Sequence, residues 1–357
     1  MLHNRLKGVN LGGWFSQIDA IKEKDPQKFP GTLQHIVDFL NVNDFKRIQK
    51  SGFNHVRLPV DYSTLFDENS LQPKKEYFEL LDKAIQNILA ENLVVILDLH
   101  KCPGHDFHSG TSKEQSFFTD SKEREKTKKI WAYMAERYCD DSRVWMELLN
   151  EPTAQDSKLW DQYKDELFWE IRKHAPKNPI VVGSNRWNSA SEFANLTPID
   201  DDNVLYSFHF YTPIGFTHQN AAWLKDPFFQ QKRDWPGDYP PPNDQEGLRL
   251  NHEYGVWNKT RLKSSMQNAL DFREKYKVPV ACNEFGVYVQ TKREHQLSWL
   301  QDFLSLLKEA DVGFSYWNYK NLDFGIVSKG ESLHQNLSQY QNPEGLDQEL
   351  LNLLANS

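Results

Sequence analysis

The chain has 357 residues, of which 39% are hydrophobic and 13% aromatic, so it can bury a large apolar core and is not a disordered or fibrous sequence. Its formal net charge of −8 is spread along the chain, and without a concentrated basic face nucleic acid is excluded as a partner. It contains no uninterrupted apolar run of about 18 residues, so we expect no membrane-spanning segment.

The start of the chain and the cysteines bear on its compartment. The first residues, MLHNRLKGVN, lack the apolar core of a signal peptide, so we expect a cytoplasmic protein, or a secreted one if a leader was removed. Cys102, Cys139 and Cys282 do not have the number or spacing of a disulfide framework or a zinc knuckle. The oligomeric state is left open.

Eight short β-rich runs follow one another along the chain, and a segment with helical periodicity separates each run from the next. Several runs are almost continuously apolar, which is typical of parallel strands that are covered on both faces. The predicted strands are 6–14, 53–60, 93–100, 144–151, 179–185, 203–210, 278–284 and 312–318.

The segments between these strands carry helix signals. The helix before the second strand is predicted to stop at Ser51-Gly52, because glycine readily takes the left-handed conformation that closes a helix. Two later segments each place apolar residues on one helical face: Phe78, Leu81, Ile85 and Ile88, and Leu300, Phe303, Leu304 and Leu307.

Eight strands with intervening helices predict an α/β fold of the (β/α)8 TIM barrel type. Such a barrel typically takes about 250 residues and leaves roughly a hundred for long βα loops. The longest loop segment runs from Tyr211 to about Trp257 and contains DWPGDYPPPND, too rich in proline for a core element and long enough to wall or cover a cleft. We predict a single domain over residues 1–357.

Polar and aromatic residues collect where the predicted strands end. In TIM barrels the catalytic groups lie at these carboxyl-terminal ends. The apolar run in WMELLNEPTA stops at Asn150-Glu151 and the run in VPVACNEFGV stops at Asn283-Glu284, so we expect the two glutamates to share one mouth. The other strand-end residues that we single out are Arg57, His100, Asn150, Trp187, His209, Tyr211 and Trp317.

Two facing carboxylates suit the cleavage of a glycosidic bond. One carboxyl group protonates the leaving oxygen while the other attacks the anomeric carbon or guides water to it. Trp187 and Trp317 offer flat faces on which the C–H groups of a sugar ring can stack. Because neighbouring residues of a regular strand face opposite ways, Asn150 and Glu151 can share the site only if the strand bends or ends there, as Pro152 suggests.

Six segments, in this order, resemble glycoside hydrolase family 5, within the clan of retaining (β/α)8 glycosidases: GVNLGGW, GFNHVRLPV, LLNEP, FHFY, NEFG and WNYKNLDFGI. The resemblance covers nearly the whole chain. It implies Glu151 as acid/base, Glu284 as nucleophile and a β-glucan or β-gluco-oligosaccharide as substrate. The remaining positions of the family's active site are matched by Arg57, His100, Asn150, His209, Tyr211 and Trp317.

The chemistry of a retaining hydrolase is compatible with these roles. Anionic Glu284 is expected to raise the pKa of Glu151, while Arg57 keeps Glu284 ionised and Tyr211 orients it. Asn150 is expected to hold the 2-hydroxyl of the sugar, and the carboxyl groups should lie about 5 to 5.5 Å apart. Two histidines, His100 and His209, are expected to bind sugar hydroxyls or Glu151. No cofactor is required.

A metal site would be a competing use of one strand end. The segment HKCPGHDFH holds His100, Cys102, His105, Asp106 and His108, and histidines after a strand are common metal ligands. A catalytic zinc site needs a defined set of three ligands with an open position, so we favour the interpretation of this segment as a polar loop beside the cleft.

The reaction and the substrate each have more than one interpretation. The barrel could bind carbohydrate without catalysis, although a pure binder has no need for both glutamates. A sugar instead of water could take the covalent intermediate, giving a transglycosylase. The segments GVNLGGW and DLHKCPG look more like the exo-β-1,3-glucanases of the family, which also contains cellulases, mannanases and β-1,6-glucanases.

Overall fold

The structure, a computed structural model, describes residues 5–24, 26–107, 112–240, 253–328 and 337–357. Its strands are Lys7–Asn10 (β1), His55–Asp61 (β2), Val94–Lys101 (β3), Val144–Glu147 (β4), Ile180–Gly183 (β5), Val204–Phe210 (β6), Gly237–Tyr239 (β7), Gly255–Trp257 (β8), Val280–Phe285 (β9) and Gly313–Tyr316 (β10). All except β7 and β8 pair in parallel and close into a barrel, in the order β1-β10-β9-β6-β5-β4-β3-β2. The predicted (β/α)8 barrel is confirmed, and each predicted run overlaps one of its strands.

Helices surround the barrel. They occupy Ile18–Lys24, Thr32–Phe39, Val42–Lys50, Tyr62–Leu65, Lys75–Ala90, Ser121–Tyr138, Ser157–His174, Ile214–Thr217, Lys259–Ser265, Gln267–Tyr276, Arg293–Glu309 and Gln348–Ala355. The predicted helix stop before the second strand is confirmed, since Val42–Lys50 is followed by Gly52 in a left-handed conformation, with φ 85°. No helix in the described part of the chain has the length and apolar character that crossing a bilayer requires.

The main core lies between the strands and the helices. The two predicted apolar faces are buried in it, one on Lys75–Ala90 and the other on Arg293–Glu309. Strand residues that point outward join this layer, for example Val95 and Leu97 of β3.

Strand residues that point inward fill the barrel in layers, as is usual for this fold. A separate apolar cluster includes Ile96 and Trp145, both 1% exposed or less. Two residues further along the same strands, Asp98 and Glu147 also point inward because the side chains of a strand alternate. A charged layer therefore lies between the apolar interior and the strand ends.

The long segment after β6 contains a small sheet that the sequence did not predict. Strands β7 and β8 pair antiparallel, and they are only three residues each. Trp235, Tyr239 and Trp257 are buried in this segment, whereas Trp223 is 43% exposed. These strands are too short for a periodic pattern, and the proline-rich residues 241–252 lie outside the described part of the chain.

Candidate active site

The chain turns where the acid/base candidate stands. Strand β4 ends at Glu147, and the backbone bends at residues 148 and 150, while the amide of Asn150 donates to the carbonyl of Leu99 over 3.0 Å. The predicted strand 144–151 is therefore too long by four residues. Because the regular alternation ends early, Asn150 and Glu151 can both face the site.

A second irregularity brings two neighbouring residues of β9 into the site. In the pairing of β6 with β9, Phe208 is opposite Cys282 but His209 is opposite Glu284, so Asn283 is an extra residue. Such a bulge re-aims the side chains around it. As a result, Asn283 reaches Glu147 inside the barrel and Glu284 reaches the mouth.

Arg57 connects the charged layer to the mouth. Its guanidinium is fully buried and lies within 3.0 Å of carboxylate oxygens of three residues, Asp98, Glu147 and Glu284. Nη1 also donates to Asn10 Oδ1 over 3.0 Å. Burial disfavours the charged guanidinium, but the surrounding carboxylates raise the pKa of Arg57 well above its ordinary value, so it remains a fixed cation.

Glu284 is held by two donors. Arg57 Nη1 donates to Oε1 over 2.6 Å, and the Tyr211 hydroxyl donates to Oε2 over 3.1 Å. The pKa of Glu284 is raised to about 7, mainly by burial, and both donors limit that rise by favouring the anion. A carboxylate held in this way is suited to act as a nucleophile.

Glu151 has the opposite electrostatic surroundings. Burial and then the charge of Glu284 raise the pKa of Glu151 well above its ordinary value, so it holds a proton more readily than Glu284 does. Its Oε1 shares a hydrogen bond of 2.7 Å with His209 Nδ1, and burial lowers the pKa of that imidazole, which keeps it neutral. The surroundings thus favour the proton on Glu151 and the charge on Glu284, as an acid and a nucleophile need.

The spacing of the two carboxyl groups is that of a retaining enzyme. One oxygen each of Glu151 and Glu284 and one ring nitrogen of His209 lie within 4.8 Å of one another. Inverting enzymes hold their carboxyl groups about 6.5 to 9.5 Å apart to admit a water molecule. The same three groups could hold a metal ion, but an ion there would engage both carboxylates and leave neither for proton transfer or attack.

Asn150 presents an unused donor. Its Oδ1 accepts from Arg57 Nη2 over 2.8 Å, while its buried Nδ2 has no protein partner among the described residues. A buried donor without a partner is costly, so this group is suited to a ligand hydroxyl.

His100 and Trp317 form one wall of the site. Their rings stack at 5.7 Å with an interplanar angle of 2°, and His100 Nδ1 is 2.8 Å from Asp98 Oδ2. The Trp317 ring lies so close to Gly12 that a Cβ there would be 2.4 Å from Trp317 Cη2. Asn318 fixes Gly12 by exchanging two hydrogen bonds of 3.0 Å with its backbone.

Trp187 is the one predicted site residue that stays outside this network. Its side chain is 54% exposed, its amide donates to the carbonyl of Pro152 over 3.0 Å, and Nε1 donates to the carbonyl of Phe107 over 3.2 Å. Three consecutive residues with positive φ, Arg186, Trp187 and Asn188, present the ring. It therefore lies at the rim, beside the residue that follows Glu151.

The structure does not gather the predicted metal ligands. Within the described ranges, His100, Cys102, His105 and Asp106 form no group of three potential ligands, and His108 lies outside those ranges. His105 instead contacts the carbonyl of Glu151 through Nε2 over 2.8 Å. Its place is that of a support for the backbone of the acid/base candidate.

Sequence reasoning missed the charged layer. Asn10, Asp98, Glu147 and Asn283 all contact Arg57 or one another but were not singled out. A signal was present for two of them, because Asp98 and Glu147 interrupt otherwise apolar strand runs, LVVILDLH and VWMELL. A charge inside such a run needs a buried partner.

Comparisons with known proteins agree with this geometry. The model of the cellulase family, glycosyl hydrolase family 5, matches residues 21–323. Endoglucanase C of Acetivibrio thermocellus is 33% identical over 359 residues, covering 98% of this chain and 97% of the relative. Cellodextrinase A of Ruminococcus flavefaciens is 32% identical over 305 residues, covering 84% and 82%. Among solved structures, an endoglucanase of Thermotoga maritima has the same fold, with a TM-score of 0.73 at 21% identity over 98% of this chain and 96% of that one.

Proposed function

Because this chain belongs to glycosyl hydrolase family 5 and is a retaining β-glucanase of the cellulase type, we propose that Glu151 is its acid/base and Glu284 its nucleophile. The observation that carries the assignment is the contrast between the two carboxyl groups. Arg57 and Tyr211 both donate to Glu284, whereas among the described residues the hydrogen-bond partner of the Glu151 carboxyl group is the neutral imidazole of His209. These surroundings favour the anion at the first carboxyl group and the acid at the second.

In the first step, Glu284 attacks the anomeric carbon and forms an ester bond to the sugar. The glycosidic bond breaks as Glu151 gives its proton to the leaving oxygen. Esterification removes the charge of Glu284, and the pKa of Glu151 then falls because that charge had raised it.

In the second step, Glu151 acts as a base. It takes a proton from water, the water oxygen attacks the anomeric carbon from the opposite face, and the bond to Glu284 breaks. Two inversions give a product with the configuration of the substrate.

The remaining site residues are proposed to bind the sugar at the point of cleavage. The Nδ2 of Asn150, which has no partner among the described residues, would donate to its 2-hydroxyl. His100, which stacks against Trp317 in the wall of the site, would bind another hydroxyl. Trp317 would stack on the ring, and Trp187, which lies beyond Pro152 on the Glu151 side, would stack on the leaving-group sugar.

We propose a β-1,4-linked gluco-oligosaccharide or glucan as the substrate. Support comes from the names of the two relatives, an endoglucanase and a cellodextrinase. An exo-acting β-1,3-glucosidase and a transglycosylase remain the competing assignments.

Product analysis tests this proposal. Wild type, Glu151→Ala and Glu284→Ala are assayed on β-1,3-, β-1,4- and β-1,6-linked glucans and on mannan, with NMR of the first-formed anomer. Glu309→Gln is the matched control, because this carboxylate is 53% exposed and pairs with Lys259. We expect cleavage of β-1,4 links with retention and loss of activity in both alanine variants only.

Different results would change the assignment. Release of glucose alone from β-1,3-glucan would favour the exo-acting enzyme, and products longer than the substrate would favour transglycosylation. Sugar binding without any cleavage by wild type would contradict the catalytic assignment.

A further inference from the structure

Two buried side chains close to the catalytic carboxyl groups have no step in the double displacement. Glu147 on β4 is fully buried, and Asn283 on β9 is 1% exposed. Both point into the barrel, and their polar contacts are with protein groups.

Together with Arg57 and Glu284, these two residues form a closed ring of contacts. Glu147 accepts from Arg57 Nε over 2.7 Å and from Arg57 Nη2 over 2.9 Å. Its Oε1 also accepts from Asn283 Nδ2 over 2.7 Å. Asn283 is covalently joined to Glu284, which accepts from Arg57 Nη1 over 2.6 Å and so closes the ring.

The two-point contact with Glu147 fixes the orientation of the guanidinium. A planar guanidinium that donates two hydrogen bonds along one edge to a carboxylate cannot turn without breaking both of them. With its Nε edge occupied, Arg57 must direct Nη1 at Glu284. The nucleophile is thus constrained through its side chain by Arg57 and through its backbone by Asn283.

Asn10 connects two members of the ring by further hydrogen bonds. Its Oδ1 accepts from Arg57 Nη1 over 3.0 Å, and its Nδ2 donates to the carbonyl of Asn283 over 2.9 Å. The bulge at Asn283 explains why two neighbouring residues of one strand can both belong to the ring. Four strands of the barrel, β1, β2, β4 and β9, are therefore linked at the level of the nucleophile.

We propose that Glu147 and Asn283 are positioning residues for the nucleophile, which hold Arg57 and the Glu284 carboxylate in the geometry of attack without touching the substrate. The proposal rests on the assignment of Glu284 as nucleophile. Its physical reason is that attack requires aligned atoms about 3 to 3.5 Å apart, and a misplacement of about 1 Å can cost roughly a hundredfold in rate.

The test isolates nucleophilic attack from the other steps. A 2,4-dinitrophenyl 2-deoxy-2-fluoro-β-cellobioside esterifies the nucleophile of a retaining glycosidase, and its leaving group departs without a proton from Glu151. We expect Glu147→Gln and Asn283→Ala each to lower the limiting inactivation rate constant by roughly 10- to 100-fold, with the inhibitor dissociation constant changed less than about threefold.

A matched control separates positioning from general loss of packing. Ser315→Ala removes a buried hydrogen bond of 2.6 Å to His55 Nε2 that also joins two barrel strands but does not involve Arg57. Rates are normalised to the concentration of active sites, which the dinitrophenolate burst measures. A partly unfolded preparation is then not mistaken for a variant with slow inactivation. We expect Ser315→Ala to lower the melting temperature and leave the inactivation rate constant unchanged.

The double variant adds a second readout. Because both residues act through one ring, Glu147→Gln with Asn283→Ala should be scarcely slower than the slower single variant. Unchanged rate constants in both single variants, or an equal decrease in Ser315→Ala, would overturn the proposal, and if Glu147→Gln does not fold, Asn283→Ala decides alone. Labelling of wild type at a residue other than Glu284 would instead refute the proposed function.

Discussion

The hydroxyl of Tyr211 donates a hydrogen bond of 3.1 Å to Oε2 of Glu284. This bond favours the ionised carboxylate and so lowers the pKa of Glu284 relative to what burial alone would produce. Arg57 occupies the other oxygen, so Tyr211 is the one donor whose removal leaves the ring around Arg57 intact.

Tyr211→Phe should therefore shift the acidic limb of the pH profile upward. Since Glu284 must be ionised to attack, activity rises as pH increases through its pKa, and loss of a donor to the anion raises that pKa. We expect kcat/KM at its optimum to fall roughly tenfold, in line with the loss of a hydrogen bond to a charged group. The measurement is kcat/KM against pH on an aryl β-cellobioside, and an acidic limb that stays in place or moves downward would contradict the prediction.

The charge of Glu284 should control the proton on Glu151. In Glu284→Gln that charge is absent, so the pKa of Glu151 is expected to fall while remaining above its ordinary value, because burial persists. Carbon-13 NMR of side-chain-labelled glutamate would follow the titration, and the resonance missing from Glu151→Gln identifies the group. An unchanged pKa would mean that burial alone keeps Glu151 protonated.

Gly12 leaves the space that the Trp317 ring occupies. A Cβ at position 12 would lie 2.4 Å from Trp317 Cη2, so Gly12→Ala should displace the ring and raise KM for oligosaccharides. We also expect a loss of stability of about 1 to 3 kcal/mol, typical of overpacking. Steady-state kinetics and thermal melting measure the two effects.

Gly52→Ala is the control for that experiment. Gly52 has φ 85° but nothing within 4 Å of a Cβ, so alanine there strains the backbone without touching the site. It should lower the melting temperature and leave KM unchanged. A normal KM in Gly12→Ala would show that Trp317 is not displaced or does not bind the sugar.

The barrel and its strand-end residues could be predicted because a buried strand has a simple sequence pattern. A strand that is covered on both faces appears in the sequence as an apolar run, and the carboxylates that end two of these runs, Glu151 and Glu284, lie at the mouth. The ring around Arg57 could not be predicted in the same way. Which residues belong to this ring depends on the bulge at Asn283 and on the side of the barrel wall that Glu147 faces. Both are determined by pairing with other strands.

The exposure of Trp187 and the pairing of β7 with β8 could not be predicted from the sequence either. Trp187 is 54% exposed because Arg186, Trp187 and Asn188 take left-handed conformations. No periodic sequence pattern predicts such conformations. The small sheet of β7 and β8 consists of two strands of three residues each, which are too short to show an alternation of apolar and polar residues.

The last prediction concerns the unused donor of Asn150. Because Nδ2 has no protein partner among the described residues, we expect it to bind the 2-hydroxyl, a contact that strengthens in the transition state. Wild type should therefore cleave an aryl β-glycoside much faster than its 2-deoxy analogue. Asn150→Asp keeps the acceptor for Arg57 but removes the donor, so it should lose most of that discrimination, roughly 10- to 100-fold in kcat/KM.

Asn150→Ala distinguishes the two contacts of this side chain. It removes both the donor and the acceptor for Arg57, so it should slow the 2-deoxy substrate as well, whereas Asn150→Asp should slow mainly the substrate that has the 2-hydroxyl. Comparing kcat/KM of three enzymes on two substrates gives the coupling between the amide and the hydroxyl directly. If Asn150→Asp discriminates between the substrates as well as wild type does, the 2-hydroxyl is bound by another residue.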